Sequence, residues 1–256
     1  MNTASQYNAT VMARIDIQPR LTIFQVKPDD PDFTFTAGQY TTLGLLDEES
    51  GKLVKRAYSI TSGSVTREYV EFYINLVSDG ALTPRLFSTT SGARIFMGAR
   101  AKGVFTIGEV AKDQSLLMVA TGTGIAPYIS MLRSHVIDNP GQRVVVLHGA
   151  SYSWDLGFRN ELEELDSRND GFSYVPVISR PKESYHWKGM EGRLPAWLEN
   201  PDLAKECGFE IDPENTHVFL CGNPGMIKNA TEILTNKGFK AGKRKEPGNL
   251  HMEKFW

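Results

Sequence analysis

The sequence predicts a two-domain fold: an N-terminal antiparallel Greek-key β-barrel over residues 1–105, then a C-terminal α/β doubly wound parallel sheet over 106–256. Two observations predict it. The spacing of apolar residues changes near residue 105, and clusters of turn-forming residues punctuate the chain at short intervals before that point. With 256 residues, 41% hydrophobic and 23% charged, the chain has enough apolar content to bury two cores.

In the first part the apolar period is two. Val11, Ala13, Ile15 and Ile17 alternate with Thr10, Met12, Arg14 and Asp16, and Val70, Phe72, Ile74 and Leu76 alternate with Tyr69, Glu71, Tyr73 and Asn75. Successive side chains of a strand point to opposite faces, so each run predicts a strand with one core face. Pro28-Asp29-Asp30-Pro31, Glu49-Ser50-Gly51 and Ser78-Asp79-Gly80 supply the turns that an antiparallel barrel or sandwich needs.

After Ile107 the pattern becomes strand, turn, helix, repeated. Ser115–Ala120, Arg143–Ala150, Phe172–Ser179 and Thr216–Cys221 are short apolar runs, each followed by helical periodicity, as in a parallel sheet covered on both faces. Ile125, Tyr128, Ile129, Leu132 and Val136 share one face of the first helix, and Phe158, Leu162 and Leu165 one face of the second.

The formal net charge of -2, from 28 basic and 30 acidic residues, argues against a nucleic-acid binder that neutralises many phosphates. Residues Met1 to Ile17 contain no unbroken apolar stretch, so a cytoplasmic protein without a membrane span is expected. Cys207 and Cys221 lack CxxC spacing, and His135, His148, His186, His217 and His251 form no ligand pair at helical spacing, so no metal is expected.

Three short segments carry the chemistry. Ala120-Thr121-Gly122-Thr123-Gly124-Ile125-Ala126-Pro127 lies between a buried strand and a helix, where glycines let backbone N–H groups approach a diphosphate. Pro127 stands where a GxGxxG fingerprint has its third glycine, and no acidic residue ends the next strand to hold a ribose 2′-hydroxyl, which disfavours an ordinary NAD site. Taken alone, the turn fits a nucleotide or an unliganded glycine-rich turn equally well. Cys221-Gly222-Asn223-Pro224-Gly225-Met226 also closes an apolar strand and opens a helix, so it belongs at the same carboxyl edge, with Cys221 either an inert buried thiol or part of a site. In the barrel half, Arg56-Ala57-Tyr58-Ser59 places a cation, an aromatic plate and a hydroxyl on one strand, with Arg56 and Tyr58 on one face. A flavin needs such groups: a guanidinium for the diphosphate, a ring to stack on, a hydroxyl for the ring nitrogen that changes protonation. An exposed Arg and Tyr on a barrel strand is the other reading of the same residues.

The order of Arg56-Ala57-Tyr58-Ser59, Leu82-Thr83-Pro84-Arg85-Leu86, Gly122-Thr123-Gly124-Ile125-Ala126-Pro127 and Cys221-Gly222-Asn223-Pro224-Gly225-Met226 resembles the ferredoxin/flavodoxin–NADP(+) reductase family across nearly the whole chain. The ending His251-Met252-Glu253-Lys254-Phe255-Trp256 resembles its bacterial branch. The resemblance implies bound FAD and NADP(H), and electron exchange with ferredoxin or flavodoxin through hydride transfer and then single-electron transfer. It implies Tyr58 stacked on the isoalloxazine, Ser59 near its N5, Arg56 with Ala57, Ala81, Leu82 and Thr83 around the FAD, Tyr73 beside the cofactor and Trp256 at its adenine end. Gly122, Thr123, Gly124 and Gly222 would line the meeting of the two nucleotides, with Cys221 orienting the nicotinamide and Glu253 relaying a proton. Ser179, Arg180 and Arg193, with Ser151, would face a 2′-phosphate and favour NADPH; Ser151 stands where several similar reductases carry an arginine.

The resemblance further implies a monomer that docks an acidic carrier on a basic rim, for which Lys52, Lys55, Arg85, Arg100, Lys102 and the run Lys243-Arg244-Lys245 are candidates. Two other readings remain at this stage. One keeps both cofactors but makes the chain the reductase component of an oxygenase system or a reductase of free flavins or quinones; no iron–sulfur cysteine signature is present. The other is a nucleotide-binding regulatory module without turnover.

Overall fold

The computed structural model describes residues 6–108, 110–134, 141–242 and 248–254. It divides into two units, Met1–Ile107 with Ala126–Ser134, and Gly108–Ile125 with His135–Trp256.

In the first unit, β1 (Ala9–Gln18), β2 (Leu21–Pro28), β3 (Tyr40–Leu46), β4 (Leu53–Ser59), β5 (Val70–Asn75) and β6 (Arg94–Met97) form one antiparallel sheet in the order β4-β3-β6-β1-β2-β5. Beyond β4, Ile60 bridges to Phe72 and the Thr61 N–H donates to the Glu71 carbonyl at 2.8 Å, so the two ends of the sheet meet and the barrel closes. Phe24, Leu43, Ile60, Phe72 and Ile95 fill its interior, with Leu82 and Leu86 buried from the helix α1 (Thr83–Phe87).

Two details depart from simple alternation. Val11 is buried, but Ile15 and Ile17 are 45% and 43% exposed. The register with β2 shifts between Val11 and Ala13, and that inserted residue moves later side chains to the opposite face. Arg14 therefore pairs across from Phe24, and its guanidinium donates to the Phe87 and Thr89 carbonyls. In β5 both faces are covered: Tyr73 and Glu71 are buried along with Val70, Phe72 and Ile74. Glu71 is tolerated there because its carboxylate takes Arg133 at 2.6 Å, the Thr61 hydroxyl at 3.2 Å and the Gln25 amide at 3.3 Å.

Arg133 follows α2 (Ala126–Leu132), the helix opened by the first glycine turn. Every residue of α2 is buried, where the sequence predicts a single apolar face; Val136 lies outside the described residues, and Ile125 belongs to a short 3-10 turn over Gly122–Ile125. Ser130 donates to the Ser62 carbonyl at 2.7 Å, and the Ser64 N–H donates to the Ser134 hydroxyl at 2.8 Å. These bonds satisfy polar groups on a helix with no solvent face.

In the second unit, β7 (Ser115–Thr121), β8 (Val144–Ala150), β9 (Phe172–Ile178), β10 (Met190–Glu191), β11 (Thr216–Gly222) and β12 (Leu250–Lys254) form a parallel sheet in the order β10-β9-β8-β7-β11-β12. Leu117, Val119, Val145, Leu147, Val218 and Leu220 pack with Leu194 and Leu198 of α4 (Leu194–Glu199) and Ile227, Ala230 and Leu234 of α6 (Pro224–Asn236). The helix α3 (Arg159–Arg168) buries Leu162, with Phe158 at its start held at φ 60°, and α5 (Asp202–Cys207) buries Leu203 and Cys207. The strands run outward from β7 to β10 on one side and restart at β11 on its other flank. Such a reversal leaves a crevice outside the carboxyl ends of the two central strands.

His217 and His251, on adjacent strands, share a hydrogen bond of 2.9 Å between Nδ1 and Nε2. Burial, then the neighbouring His217, pushes His251 down to about 4, and burial, opposed by the hydrogen bond to the Gly122 carbonyl, pushes fully enclosed His148 to about 4. Both stand near 6.5 in an unfolded chain, so unfolding takes up protons below that value and stability falls as pH drops from about 6.5 to about 4. The urea midpoint is expected to fall steadily between pH 7 and pH 5, and a flat midpoint over that interval would contradict the enclosure of His148 and the partial burial of His251.

Candidate active site

The switch point between β7 and β11 carries both glycine turns. The ladder pairs Cys221 with Ala120, so each chain leaves the sheet at the same level. The Asn223 N–H donates to the Thr121 hydroxyl at 2.8 Å and ties one turn to the other. Asn223 also caps α6, accepting from the Gly225 and Met226 N–H groups at 2.8 and 3.1 Å, with Pro224 in the first helical turn.

The glycines differ in what they do. Gly124 is buried, and a Cβ there would collide with the Cys221 carbonyl and sit 2.8 Å from the Gly222 Cα. It is a packing glycine that lets the turns touch. Gly222, at φ +122°, lies against Thr121 and adopts a backbone that L side chains rarely take. Gly122, at φ +52°, has open space where a side chain would stand, so no side chain covers the backbone at this end of the turn from that side. Its carbonyl lies 3.2 Å from Nε2 of His148. His148 makes no ligand pair at helical spacing, and its signal in the sequence is a polar ring in the otherwise apolar strand Val144–Ala150, which needs partners for both nitrogens.

Cys221 is fully buried, and burial, then the carboxylate of Glu253, raises its thiol well above the ordinary range. Glu253 stands opposite Cys221 in the β11–β12 ladder. The thiol is therefore held in its neutral form.

A second cluster lies along the same edge. The Ser179 N–H donates to the Ala150 carbonyl at 3.0 Å and the Arg180 N–H to the Ser151 carbonyl at 2.9 Å, which brings Ser151, Ser179 and Arg180 together. Glu191 pairs with Ile178, so Arg193 and Arg180 each follow two residues after a paired position. Arg180 donates to the Tyr152 hydroxyl at 2.5 Å, its guanidinium 5.3 Å from the Tyr152 ring centre, and that ring stacks on Trp154 with centres 4.7 Å apart. Tyr152 and Trp154 lie in the loop after β8, where no motif or periodicity in the sequence marks them.

In the barrel unit, β4 presents Arg56 and Ala57 exposed, Tyr58 half-buried and Ser59 only 3% exposed. The Arg56 guanidinium donates to the Lys55 carbonyl at 2.8 Å, and burial, opposed by the charge of Arg56, pushes the Tyr58 phenol up to about 12. The loop before α1 closes on Thr83, whose hydroxyl accepts from the Val77 N–H and donates to the Val77 carbonyl, both at 3.0 Å. Thr83 thus shapes the loop with its side chain and offers its backbone, beside exposed Ala81 and buried Leu82. Tyr73 is 3% exposed, enclosed by the protein, where alternation suggests a face open for a ligand to cover. Among the basic candidates, Lys52, Lys55, Arg100 and Lys102 are exposed, whereas Arg85 pairs with Asp47 at 3.1 Å. Trp256 and Lys243-Arg244-Lys245 lie outside the described residues.

Comparison with known proteins defines the class. Residues 8–103 match the oxidoreductase FAD-binding domain and residues 118–232 the oxidoreductase NAD-binding domain. The flavodoxin/ferredoxin–NADP reductase of Buchnera aphidicola subsp. Baizongia pistaciae is 35% identical over 236 residues, and that of Escherichia coli K12 34%; each alignment covers 91% of this chain and 93% of the relative. A crystal structure of a ferredoxin NADP+ reductase from Neisseria gonorrhoeae, with bound FAD and NADP, superposes with a TM-score of 0.87 at 26% identity, covering 97% of this chain and 98% of that one. The chain belongs to the flavodoxin/ferredoxin–NADP reductase family.

The residues present fit both groups. Arg56, Tyr58 and Ser59 make a donor set for a diphosphate, a planar ring and a ring nitrogen, and the open side of Gly122 leaves room for a second nucleotide at a reversal of strand order.

Replacing Gly124 by Ala forces the two turns apart and is expected to cost about 1–3 kcal/mol through overpacking. Gly122→Ala meets no atom, and its left-handed backbone is expected to cost only about 1–2 kcal/mol. Urea unfolding of the two variants, with NADP+ affinity measured alongside, checks the order; equal stability with normal affinity in Gly124→Ala would remove the close approach of the turns.

Proposed function

We propose that the protein is an FAD-dependent ferredoxin/flavodoxin–NADP(+) reductase that exchanges electrons between NADPH and a small ferredoxin or flavodoxin, reversibly, in the cytoplasm. The observation that carries the reading is the pair of glycine turns joined by Thr121 and Asn223 at the β7–β11 reversal, in a chain that shares 34–35% identity with named reductases over most of its length. When bound, FAD supplies the conversion between two-electron nicotinamide chemistry and one-electron chemistry with the carrier.

The chain's own residues bind and orient. Tyr58 offers its neutral ring for stacking, Arg56 and the backbone of Ala57, Ala81, Leu82 and Thr83 take the FAD diphosphate, and buried Ser59 holds a proton at the flavin N5. Tyr73 packs beside the cofactor from within the barrel. Gly122, Thr123, Gly124 and Gly222 shape the nicotinamide end, where neutral Cys221 fixes the ring, and Glu253 passes a proton. Arg180 and Arg193, with Ser151 and Ser179, take the 2′-phosphate and favour NADPH over NADH. Lys52, Lys55, Arg100 and Lys102 meet an acidic carrier, and the protein works as a monomer. No described helix is long and apolar enough to cross a membrane.

The purified protein is expected to be yellow, to bleach on addition of NADPH, and to reduce cytochrome through ferredoxin or flavodoxin with a rate that falls as salt rises. Colourless protein that takes up no FAD would overturn the assignment, and salt-insensitive turnover would remove the charged carrier. Ser59→Ala is expected to slow single-turnover flavin reduction by about ten- to a hundredfold, the scale of a lost positioning contact. An unchanged rate would take Ser59 out of the reaction.

A further inference from the structure

His148 sits in β8 between β7 and β9 and is wholly buried. A ring buried this way is costly unless both nitrogens find partners, and both do: Nδ1 lies 3.2 Å from the Tyr174 hydroxyl and Nε2 3.2 Å from the Gly122 carbonyl. A carbonyl only accepts, so Nε2 carries the hydrogen. Burial keeps the ring neutral, so Nδ1 is bare and accepts from the Tyr174 O–H. The partners thus define the tautomer.

The bond bears on one peptide plane. The carbonyl of Gly122 and the N–H of Thr123 belong to the same planar trans peptide and point in opposite directions. Drawing the carbonyl toward β8 turns the Thr123 N–H away from it. Gly122 itself is at φ +52° with no atom near the place of a Cβ, so side-chain packing does not fix this plane from the open side. Glycine has the widest conformational freedom of any residue, and to the restraint of the 3-10 turn Gly122–Ile125 the His148 bond adds a directional one from outside the turn.

We propose that His148 is a positioning residue for the nicotinamide dinucleotide: its Nε2–H holds the Gly122 carbonyl, with Tyr174 fixing the tautomer, and thereby aims the Thr123 N–H at the bound dinucleotide. It touches neither nucleotide nor flavin and acts through the turn. The inference rests on the assignment of the Gly122 turn to the dinucleotide, and wild-type binding tests that assignment separately.

The experiment uses FAD-loaded enzyme and three variants, His148→Phe, His148→Gln and Tyr174→Phe. The Kd for NADP+ is read from the flavin difference spectrum, and KM and kcat from turnover of NADPH with ferricyanide. His148→Phe keeps the bulk and removes the donor; it is expected to raise Kd and KM about tenfold, the scale of one lost hydrogen bond, with kcat and FAD content near wild type. His148→Gln keeps an N–H donor and is expected to return Kd to within about threefold of wild type on the same scale. Histidine-labelled 15N spectra are expected to show a buried neutral ring protonated at Nε2, with Tyr174→Phe shifting the tautomer balance and raising Kd. A wild-type Kd in His148→Phe, an equal loss in the Phe and Gln variants, or a ring protonated at Nδ1 would each overturn the proposal. Should His148→Phe fail to fold, His148→Gln and Tyr174→Phe decide it: wild-type affinity in the first with weakened affinity in the second supports the clamp, and any other pair of results rejects it. Wild-type enzyme that binds no NADP+ would reject the assignment of the turn instead.

Discussion

The contact on which the site in the parallel sheet depends is the one between Gly124 and the Cys221–Gly222 backbone. Two chains leave neighbouring parallel strands at the same level, and they approach so closely that no Cβ fits between them. The Thr121 hydroxyl then reaches the Asn223 N–H, and Asn223 in turn caps α6. Removing a single methyl group's worth of volume at residue 124 thus fixes where the Cys221 turn stands relative to the Gly122 turn. The open side of Gly122, a few atoms further along the backbone, is a consequence of the same economy of side chains.

Around that contact the polar groups are held neutral. Burial lowers the affinity of His148 for a second proton and raises the thiol of Cys221; in the barrel unit it raises the phenol of Tyr58. Each shift favours the uncharged form, as a weakly polar environment requires. The fixed positive charges, Arg56, Arg180 and Arg193, are instead exposed.

The architecture was legible in the sequence because both of its signals are local. The change from period-two runs to strand–turn–helix repeats predicts an antiparallel barrel and a parallel sheet, and both are observed. The level pairing of the two turns was also legible, since each closes an apolar strand. What escaped was set by partners distant in sequence. The bulge at Met12 put Ile15 and Ile17 on the exposed face, because register depends on β2. Burial of Glu71 and Tyr73 on the second face of β5 followed from long-range contacts such as that of Arg133, 62 residues away. The pairing of His217 with His251 crosses two strands, so spacing along one element could not reveal it. His148 was visible as an anomaly in an apolar strand, but its partners, Gly122 and Tyr174, each lie 26 residues off.

The edge that carries Arg180 shows how aromatic neighbours can order an exposed cation. Ser151 lies beside it, its carbonyl accepting from the Arg180 N–H at 2.9 Å. Arg180 is not a loose side chain: Tyr152 accepts a hydrogen bond from it, lies under its guanidinium, and is itself backed by Trp154. An arginine side chain ordinarily loses rotamer freedom when it engages an anion, at a cost near 0.5–1.5 kcal/mol. Where the aromatic pair has already restricted it, much of that cost falls on folding instead of binding. A fixed, planar guanidinium also presents its donors in one orientation, which serves recognition of a phosphate better than a second mobile charge. The exposed guanidinium at this edge of the parallel sheet is thus held in one orientation by its aromatic neighbours.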